Sequence, residues 1–119
     1  MATVSSHRDL IAWQKAVHLV KRCYQVSSRF PSDERFGLTQ QFRRAAVSVP
    51  SNIAEGKGRG TPAEFQRFLS IATGSLTELD TQLVIANELG FIDEGALSEL
   101  ENDIAEVGRI ITGLRKSLG

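Results

Sequence analysis

Apolar residues recur every three or four positions along most of this 119-residue chain, and no segment alternates apolar and polar residues as a half-buried strand does. A spacing of three or four places apolar side chains on one face of a helix. The pattern predicts four helices, over residues 9–28, 33–55, 62–89 and 93–118. Because the connections are short, we expect an all-α fold, an up-down-up-down antiparallel four-helix bundle formed by one domain over residues 1–119.

Each predicted helix has one apolar stripe that we expect to face the core. In the third and fourth helices the stripe runs without a break from Phe65 to Ala86 and from Leu97 to Leu118. The stripes assigned to the first and second helices are Leu10, Trp13, Val17, Val20 and Tyr24, and Leu38, Phe42, Ala45, Val49 and Ile53.

Residues with capping chemistry stand at the predicted helix ends. Thr61 and Glu64 have the spacing of a capping box before the third helix, and Asp93 is placed to cap the fourth. Asp9 has the same chemistry at the start of the first helix. Gly90 stands at the end of the third helix, where a left-handed backbone favours glycine. These residues support the predicted helix boundaries.

Two features interrupt the second helix and the connection after it. Pro50 lies inside the helix and removes one backbone hydrogen bond, so we expect a kink near this residue. Residues 56–60 read Gly-Lys-Gly-Arg-Gly, which predicts a flexible connection. This segment lacks the ending and the preceding strand of a phosphate loop. Its two cations, Lys57 and Arg59, still lie beside a helix start, which is a position that favours phosphate groups.

The second and third helices have further apolar residues away from their core stripes. A helix that is apolar on two sides is usually buried on two sides, and another copy of the chain is the simplest second cover. We therefore predict a homo-oligomer; scattered surface hydrophobes on a monomer are the alternative. The candidate interface residues are Phe36, Val47, Pro50, Ala54, Ile71, Ile85 and Leu89.

A polar stripe runs beside the core stripe of the second helix and continues on the third. We expect Asn52 to bond carbonyls that the proline leaves unpaired, and Arg44 to bind the carboxylate of Glu55 or Glu78. We favour a structural network that fixes helix register or subunit geometry. The alternative is a ligand or nucleic-acid site that also includes Arg43. The predicted network consists of Gln41, Arg44, Ser48, Asn52, Glu55, Ser75 and Glu78.

The formal net charge is zero, but the charges are unevenly distributed along the chain. Residues 1–60 contain ten Lys and Arg against four Asp and Glu, whereas residues 61–119 contain four against ten. A basic half either presents a surface to nucleic acid or pairs with the acidic half within the fold or between subunits. The candidate residues for nucleic-acid or partner binding are Arg43, Arg44, Lys57 and Arg59.

Catalytic chemistry has little support in the sequence. His7 and His18 have no carboxylate at a suitable spacing, and the Glu-x-x-His pair of di-iron bundles is absent, so we predict no enzyme activity, metal site or cofactor. The single Cys23 excludes an intramolecular disulfide and indicates a reducing compartment, the cytoplasm. No apolar run approaches the ~20 residues of a membrane span, and residues 1–9 contain no apolar signal segment.

The segment QFRRAAVSVPSNIAEG, residues 41–56, has a specific resemblance to a known family. Residues 9–92 closely resemble the bacterial four-helix proteins first noticed as reading frames inside intervening sequences of 23S rRNA genes, sometimes labelled S23 ribosomal proteins. The last helix matches only in pattern. Further matching stretches are Asp9-Leu10 with Trp13, Phe30-Pro31 ahead of Phe36-Gly37-Leu38, Glu64-Phe65 through Phe68-Leu69, and Ile71-Ala72 with Gly74-Ser75-Leu76 and Glu78-Leu79.

This resemblance implies a four-helix bundle that assembles into a homopentameric ring, and it transfers no catalytic residue. The family is also similar to the pentameric accessory protein of diversity-generating retroelements, which partners a reverse transcriptase and nucleic acid. We therefore expect a noncatalytic homo-oligomeric interaction module, a pentamer, that binds structured RNA or a nucleoprotein. The alternative is a protein-binding scaffold that makes no contact with nucleic acid.

Overall fold

The computed structural model describes residues 6–119, and this part of the chain is all-α, with four long helices and no strand. Residues 1–5, which belong to the predicted domain and to the segment searched for a signal sequence, lie outside the described residues. None of the helices in the described part is long and apolar enough to cross a membrane. The long helices are α1 (Ile11–Ser27), α2 (Leu38–Gly58), α3 (Pro62–Glu88) and α4 (Glu94–Ser117), and His7–Asp9 and Ser32–Glu34 form short 3-10 helices.

The helices enclose one continuous cluster of buried apolar side chains. Helix α2 packs against α1 and α3, and α4 packs against the same two helices, which is compatible with a bundle. The predicted stripes of α2, α3 and α4 supply most of this core. The largest fully buried side chains include Phe42, Leu69, Leu79, Leu83 and Leu100.

The stripe predicted for α1 is wrong by one residue, or about 100° around the helix. Val17 and Tyr24 are about two-fifths exposed, at 41% and 42%, and Trp13 and Val20 are only partly buried. Two alanines stand on the buried face, where their small side chains let α1 approach its neighbours closely. Because alanine is a weak hydrophobic signal in a sequence, the bulkier flanking residues determined the prediction. The buried apolar face consists of Ala12, Ala16, Leu19, Cys23 and Val26.

Helix α2 begins later and ends later than its predicted range. Its first residue is Leu38, whose backbone N–H donates to Oε1 of Glu34 at 3.0 Å. At its other end the helix continues through Gly56, so the prediction of a flexible connection from residue 56 is wrong. A Cβ at Gly56 would lie 2.7 Å from Cβ of Phe68. The glycine therefore permits close packing of α2 on α3, and the chain turns only at Gly60, where φ is +85°.

Three predicted helix-end residues are confirmed. Oγ1 of Thr61 accepts a hydrogen bond from the backbone N–H of Glu64 at 3.2 Å. Oδ1 of Asp93 accepts one from the backbone N–H of Ala96 at 2.8 Å. Gly90 follows α3 with φ +79°, in the left-handed region that favours glycine.

Two other capping predictions are wrong. Asp9 lies in the short 3-10 helix, and Leu10 precedes α1 without a side-chain cap. The carboxylate of Glu64 accepts a hydrogen bond from Nε of Arg67 at 2.8 Å, and this contact replaces the predicted reciprocal half of the capping box. The guanidinium of Arg67 is a charged donor, and its hydrogen bond to the carboxylate is stronger than one from a neutral backbone N–H.

Candidate functional site

A groove of about 600 Å³ lies between α1 and α2, beside the segment that joins them, and we call it the arginine groove. Three of its lining residues are arginines and two are aromatic, whereas none is acidic. The groove therefore combines positive charge with aromatic rings and contains no carboxylate among its lining residues. Its lining residues are Tyr24, Arg35, Phe36, Thr39, Gln40, Arg43, Arg44, Val47 and Ser48.

Two of the arginines lie over the aromatic rings of the groove. Cζ of Arg35 is 4.8 Å from the ring centre of Phe36, and Cζ of Arg43 is 4.5 Å from the ring centre of Tyr24. Both distances are within the range of cation–π attraction. Phe36 is nevertheless 79% exposed, so most of this ring is in contact with solvent.

Arg43 has a second role, because it links α2 to the C-terminal end of α1. Its Nε donates to Oγ of Ser27 at 2.8 Å, and its Nη2 donates to the carbonyl oxygen of Tyr24 at 3.4 Å. A cation at this end of a helix interacts favourably with the helix dipole. Arg43 is therefore a positioning residue of the groove, whereas Arg35 and Arg44 are exposed.

Arg44 forms no ion pair with Glu55 or Glu78, contrary to expectation, and has no ion-pair partner within residues 6–119. Glu55 instead binds Nη2 of Arg59 at 3.0 Å through Oε1. The pair lies four residues apart on the surface, a spacing at which opposite charges attract. The guanidinium of Arg44 is therefore available to a ligand.

The four cations predicted for nucleic-acid binding fall into two groups. Arg43 and Arg44 line the arginine groove, whereas Lys57 and Arg59 lie at the other end of α2, about 21 Å further along the helix axis. The second group has acidic neighbours, because Glu55 pairs with Arg59. The structure therefore separates a groove without carboxylates from a charge-compensated helix end.

A second ion pair, between Arg67 and Glu64, joins opposite charges near the start of α3. The side-chain hydrogen bond from Arg67 is the main cause that lowers the pKa of Glu64, and the same bond raises the pKa of Arg67. The guanidinium of Arg67 also lies 4.5 Å from the ring centre of Phe68, with that of Arg59 at 5.1 Å. These arginines are engaged within the chain.

Part of the predicted polar network joins α2 to α3. Oγ of Ser48 lies 2.8 Å from Oγ of Ser75, within hydrogen-bond distance. Nδ2 of Asn52 donates to the carbonyl oxygen of Ser48 at 2.8 Å and to its Oγ at 2.9 Å. Pro50 deprives the carbonyl of Ala46 of its helical donor, so Asn52 does not bond the carbonyl that we expected.

Three further residues of the predicted network, Gln41, Arg44 and Glu78, line a cavity of about 260 Å³ between α2 and α3, whereas Glu55 does not. Gln82, which is only 7% exposed, contributes a side-chain oxygen, Oε1, that is buried and has no hydrogen-bond partner in the described part of the chain. A buried acceptor without a donor costs about 1–3 kcal/mol. The cavity is lined by Gln41, Arg44, Glu78 and Gln82.

One candidate interface residue is wrong, because Pro50 is buried within the chain. It lies beside Val49 and one turn from Ala46, both of which are fully buried. The buried face of α2 is therefore broader than the single predicted stripe, and it includes the proline. Ala54 is half-buried at the edge of a shallow cavity that also contains His7.

The other candidate interface residues are exposed in the chain, and they form two separate groups. Phe36 and Val47 line the arginine groove, in which they stand among the cations. On α3, Ile71 and Ile85 are each 42% exposed and Leu89 is 58% exposed. The α3 residues belong to one surface stripe at spacings of three and four, the α3 stripe, which consists of Ile71, Ser75, Glu78, Gln82, Ile85 and Leu89.

Sequence reasoning missed four lining residues of the arginine groove, Tyr24, Arg35, Thr39 and Gln40. Tyr24 was assigned to the core stripe of the first helix, and Arg35 was placed inside a helix that begins only at Leu38. The sequence signal for Arg35 was its charge, because it precedes Arg43 and Arg44 and adds to the same run of basic residues. The Pro31 that precedes Arg35 favours a turn over a helix.

Cys23 does not provide a reactive nucleophile. Its side chain is buried, and desolvation raises the pKa of the thiol to about 12, with a smaller contribution from Asp103 in the same direction and an opposing one from Arg22. Only the thiolate is strongly nucleophilic. Within residues 6–119 no group of three or more His, Cys, Asp and Glu side chains is arranged to hold a metal ion.

Comparisons with known proteins support the fold and identify the family. A solved structure of a protein with unknown function from the S23 ribosomal protein family of Bacteroides thetaiotaomicron VPI-5482 is similar, with a TM-score of 0.82 and 20% sequence identity. The similarity covers 89% of this chain and 99% of the other, and at this identity it concerns the fold alone. No curated protein matches the chain.

The family model described as 23S rRNA-intervening sequence protein matches residues 8–113. This description names no catalysed reaction and no ligand. Because the match spans nearly all of the chain and agrees with the all-α fold, the chain belongs to the 23S rRNA-intervening sequence protein family.

Proposed function

We propose that this chain is a noncatalytic, self-associating interaction module of the cytoplasm that binds structured RNA through the arginine groove. The observation that carries the proposal is the lining of the groove, which contains three arginines and no carboxylate. RNA supplies a phosphate at every nucleotide, and phosphate contacts with Arg provide most of the affinity of such surfaces. Arg44, which lacks an ion-pair partner in the described part of the chain, is the first candidate contact.

In this proposal the four helices run up, down, up and down around the core. Contacts between α2 and α3 support this topology, because Ser48 bonds Ser75 whereas the later Gly56 packs on the earlier Phe68. Contacts in reversed chain order are those of an antiparallel pair. Pro50 supports a kink in α2, since proline removes one backbone donor and crowds the carbonyl four residues before it.

Self-association in this proposal uses the α3 stripe. Ile71, Ile85 and Leu89 keep between 42% and 58% of their surface exposed in the single chain. Exposed apolar side chains on one helix face favour a contact with another protein surface that covers them. A pentamer is the assembly that the resemblance to ring-forming bundles implies.

A second candidate function is a scaffold that binds protein and not RNA. Phe36 and Val47 favour it, because both are exposed apolar residues within the groove. A protein partner would have to supply carboxylates, since burying three guanidiniums without counter-charges is costly. RNA provides such counter-charges along its whole backbone, and we therefore place it first.

Binding of a labelled hairpin RNA, followed by fluorescence anisotropy, tests the proposed function. If Arg35 and Arg44 contact phosphates, raising the salt from about 50 to about 200 mM weakens binding about 7- to 12-fold. Arg44→Ala removes one phosphate contact and weakens binding several-fold, with a shallower salt dependence. Arg43 is left unchanged in this test, because its replacement would also loosen the contact between α1 and α2.

The matched control is Arg109→Ala, which makes the same change of charge on α4. Arg109 is exposed and lines a different cavity, between α3 and α4, together with the acidic Asp80 and Glu101. We expect this variant to bind RNA as the wild type does. Absence of binding at low salt, or equal losses in both variants, contradicts the proposed function.

A further inference from the structure

We infer that the arginine groove takes unpaired nucleotides, with a base stacked on Phe36 and phosphates on Arg35 and Arg44, and does not take a paired stem. This inference rests on the proposed RNA binding and specifies which part of a structured RNA is bound. It is carried by the aromatic rings of the groove, which phosphate binding alone does not require.

The exposure of Phe36 is the first step of the argument. At 79% exposure, this phenylalanine contributes little to the core of its own chain. An aromatic face in contact with water is an available stacking platform, and stacking of a base on such a ring is tolerant of base identity. Phe36 therefore provides an energetic reason for a base to enter the groove.

The arrangement of cations is the second step. Arg35 and Arg43 each lie within 5 Å of an aromatic ring centre, at 4.8 and 4.5 Å, so each aromatic ring of the groove lies beside a positive charge. Unpaired RNA likewise has a phosphate beside each base. A basic groove with interleaved aromatic rings is the usual surface that binds single-stranded nucleic acid.

The geometry of paired RNA is the third step. In a duplex each base is stacked between its neighbours, and the major groove is too deep and narrow for protein side chains to read. A paired stem therefore presents phosphates to Arg44 but offers no base face to Phe36. Loops and bulges offer both, because their bases can turn outward.

Competition binding with two unlabelled RNAs tests the inference. One competitor is a short single strand without self-complementarity, and the other is the same strand paired with its complement. We expect the single strand to compete at least tenfold better than the duplex. Phe36→Leu keeps an apolar side chain but removes the aromatic face, so it weakens single-strand binding about tenfold, whereas Phe36→Trp retains binding. Because Phe36 is mostly exposed, we expect both variants to fold.

The matched control is Ile11→Ala, which changes another strongly exposed apolar residue, at the start of α1 and outside both the groove and the α3 stripe. We expect it to bind single-stranded RNA as the wild type does. Tryptophan fluorescence of the Phe36→Trp variant gives a direct signature, because a base stacked on the introduced indole quenches its emission. We expect RNA to quench this variant more strongly than the wild type, in which Trp13 is the fluorophore.

Three results overturn the inference, and they can be distinguished from failure of the proposed function. Equal competition by duplex and single strand, or wild-type binding by Phe36→Leu, leaves RNA binding intact but removes the stacked base. A changed molecular mass of Phe36→Leu with unchanged RNA binding assigns Phe36 to a protein contact. If neither RNA binds at low salt, the proposed function fails and the inference fails with it.

Discussion

At the scale of single residues, Cys23 illustrates how the core controls chemistry. The thiol is fully buried against apolar neighbours, and burial raises its pKa from 9.0 to about 12. Asp103 adds to this effect, because its negative charge disfavours a thiolate. The residue is therefore a small apolar component of the core at neutral pH.

The raised pKa predicts how Cys23 affects stability in alkaline solution. The folded chain keeps the proton between pH 9 and 12, whereas the unfolded chain loses it above pH 9. The neutral thiol therefore makes its full contribution to the free energy of unfolding below pH 9. This contribution is lost as the pH rises toward 12, at about 1.4 kcal/mol per pH unit or less. Urea unfolding of wild type and Cys23→Ala at several pH values measures it.

We expect the wild type to be more stable than Cys23→Ala at neutral pH, since the variant leaves a small cavity. The difference in unfolding free energy should shrink as the pH rises above 9. If the difference in unfolding free energy stays constant up to pH 12, the thiol has the same pKa in the folded and unfolded chains, which contradicts the prediction.

At the scale of elements, the contact between α2 and α3 depends on a glycine. A Cβ at Gly56 would meet Cβ of Phe68 at 2.7 Å and Cδ1 of Phe65 at 3.1 Å. Neither atom can move without shifting a buried side chain or the backbone of α3, because both phenylalanines are buried. Gly58, two residues later on the same helix, has no atom within 4 Å of such a Cβ.

These two glycines provide a matched pair of variants. We expect Gly56→Ala to lower the unfolding free energy by about 1–3 kcal/mol, because it overpacks the contact between the helices. Gly58→Ala should be neutral or stabilising by up to about 1 kcal/mol, because alanine favours a helix. Thermal or urea unfolding measures both, and equal effects of the two substitutions would contradict this packing argument.

The number of helices could be predicted from the periodicity of apolar residues. Their buried faces and their end residues could be predicted only in part. The stripes of α3 and α4 contain large apolar residues and define their faces unambiguously. In α1 the buried Ala12 and Ala16 give a weaker signal than the exposed Val17. Glycine is typical of loops, and the sequence therefore placed Gly56 in a connection. Only its packing against the phenylalanines of α3 explains its place in the helix.

The candidate site was only partly predictable, because the charge of a residue does not show which residues the fold brings together. Arg43 and Arg44 were selected from their charge and from the polar stripe of the second helix, and the structure brings both to one groove. Tyr24 and Arg35 reach the same groove from α1 and from the segment before α2, so no spacing within a single helix links them. Lys57 and Arg59 were grouped with them by charge, yet Glu55 pairs with Arg59 at the far end of α2.

At the scale of the whole molecule, the basic and acidic halves of the chain partly compensate each other. Arg22 of α1 lies 3.3 Å from carboxylate oxygens of both Glu99 and Asp103 of α4, and Lys15 lies 3.6 Å from Glu106. These contacts are partly or largely exposed, so each adds little stability. They pair part of the basic charge on α1, whereas the arginine groove has no carboxylate among its lining residues.

The outer surface of α2 and α3 is the basis for the proposed self-association. Its α3 stripe keeps Ile71, Ile85 and Leu89 exposed, while the buried Oε1 of Gln82 has no donor in the described part of the chain. A neighbouring copy would cover the exposed apolar side chains. We therefore propose that further copies of the chain cover this surface.

Molecular mass in solution, measured by light scattering on an eluting peak, is the decisive test of this self-association. We predict a mass five times the 13.0 kDa of one chain for the wild type. Ile85→Lys should shift the mass toward that of one chain, because a charge on the α3 stripe cannot be buried without a partner. A wild-type mass of 13.0 kDa at micromolar concentration would contradict the claim.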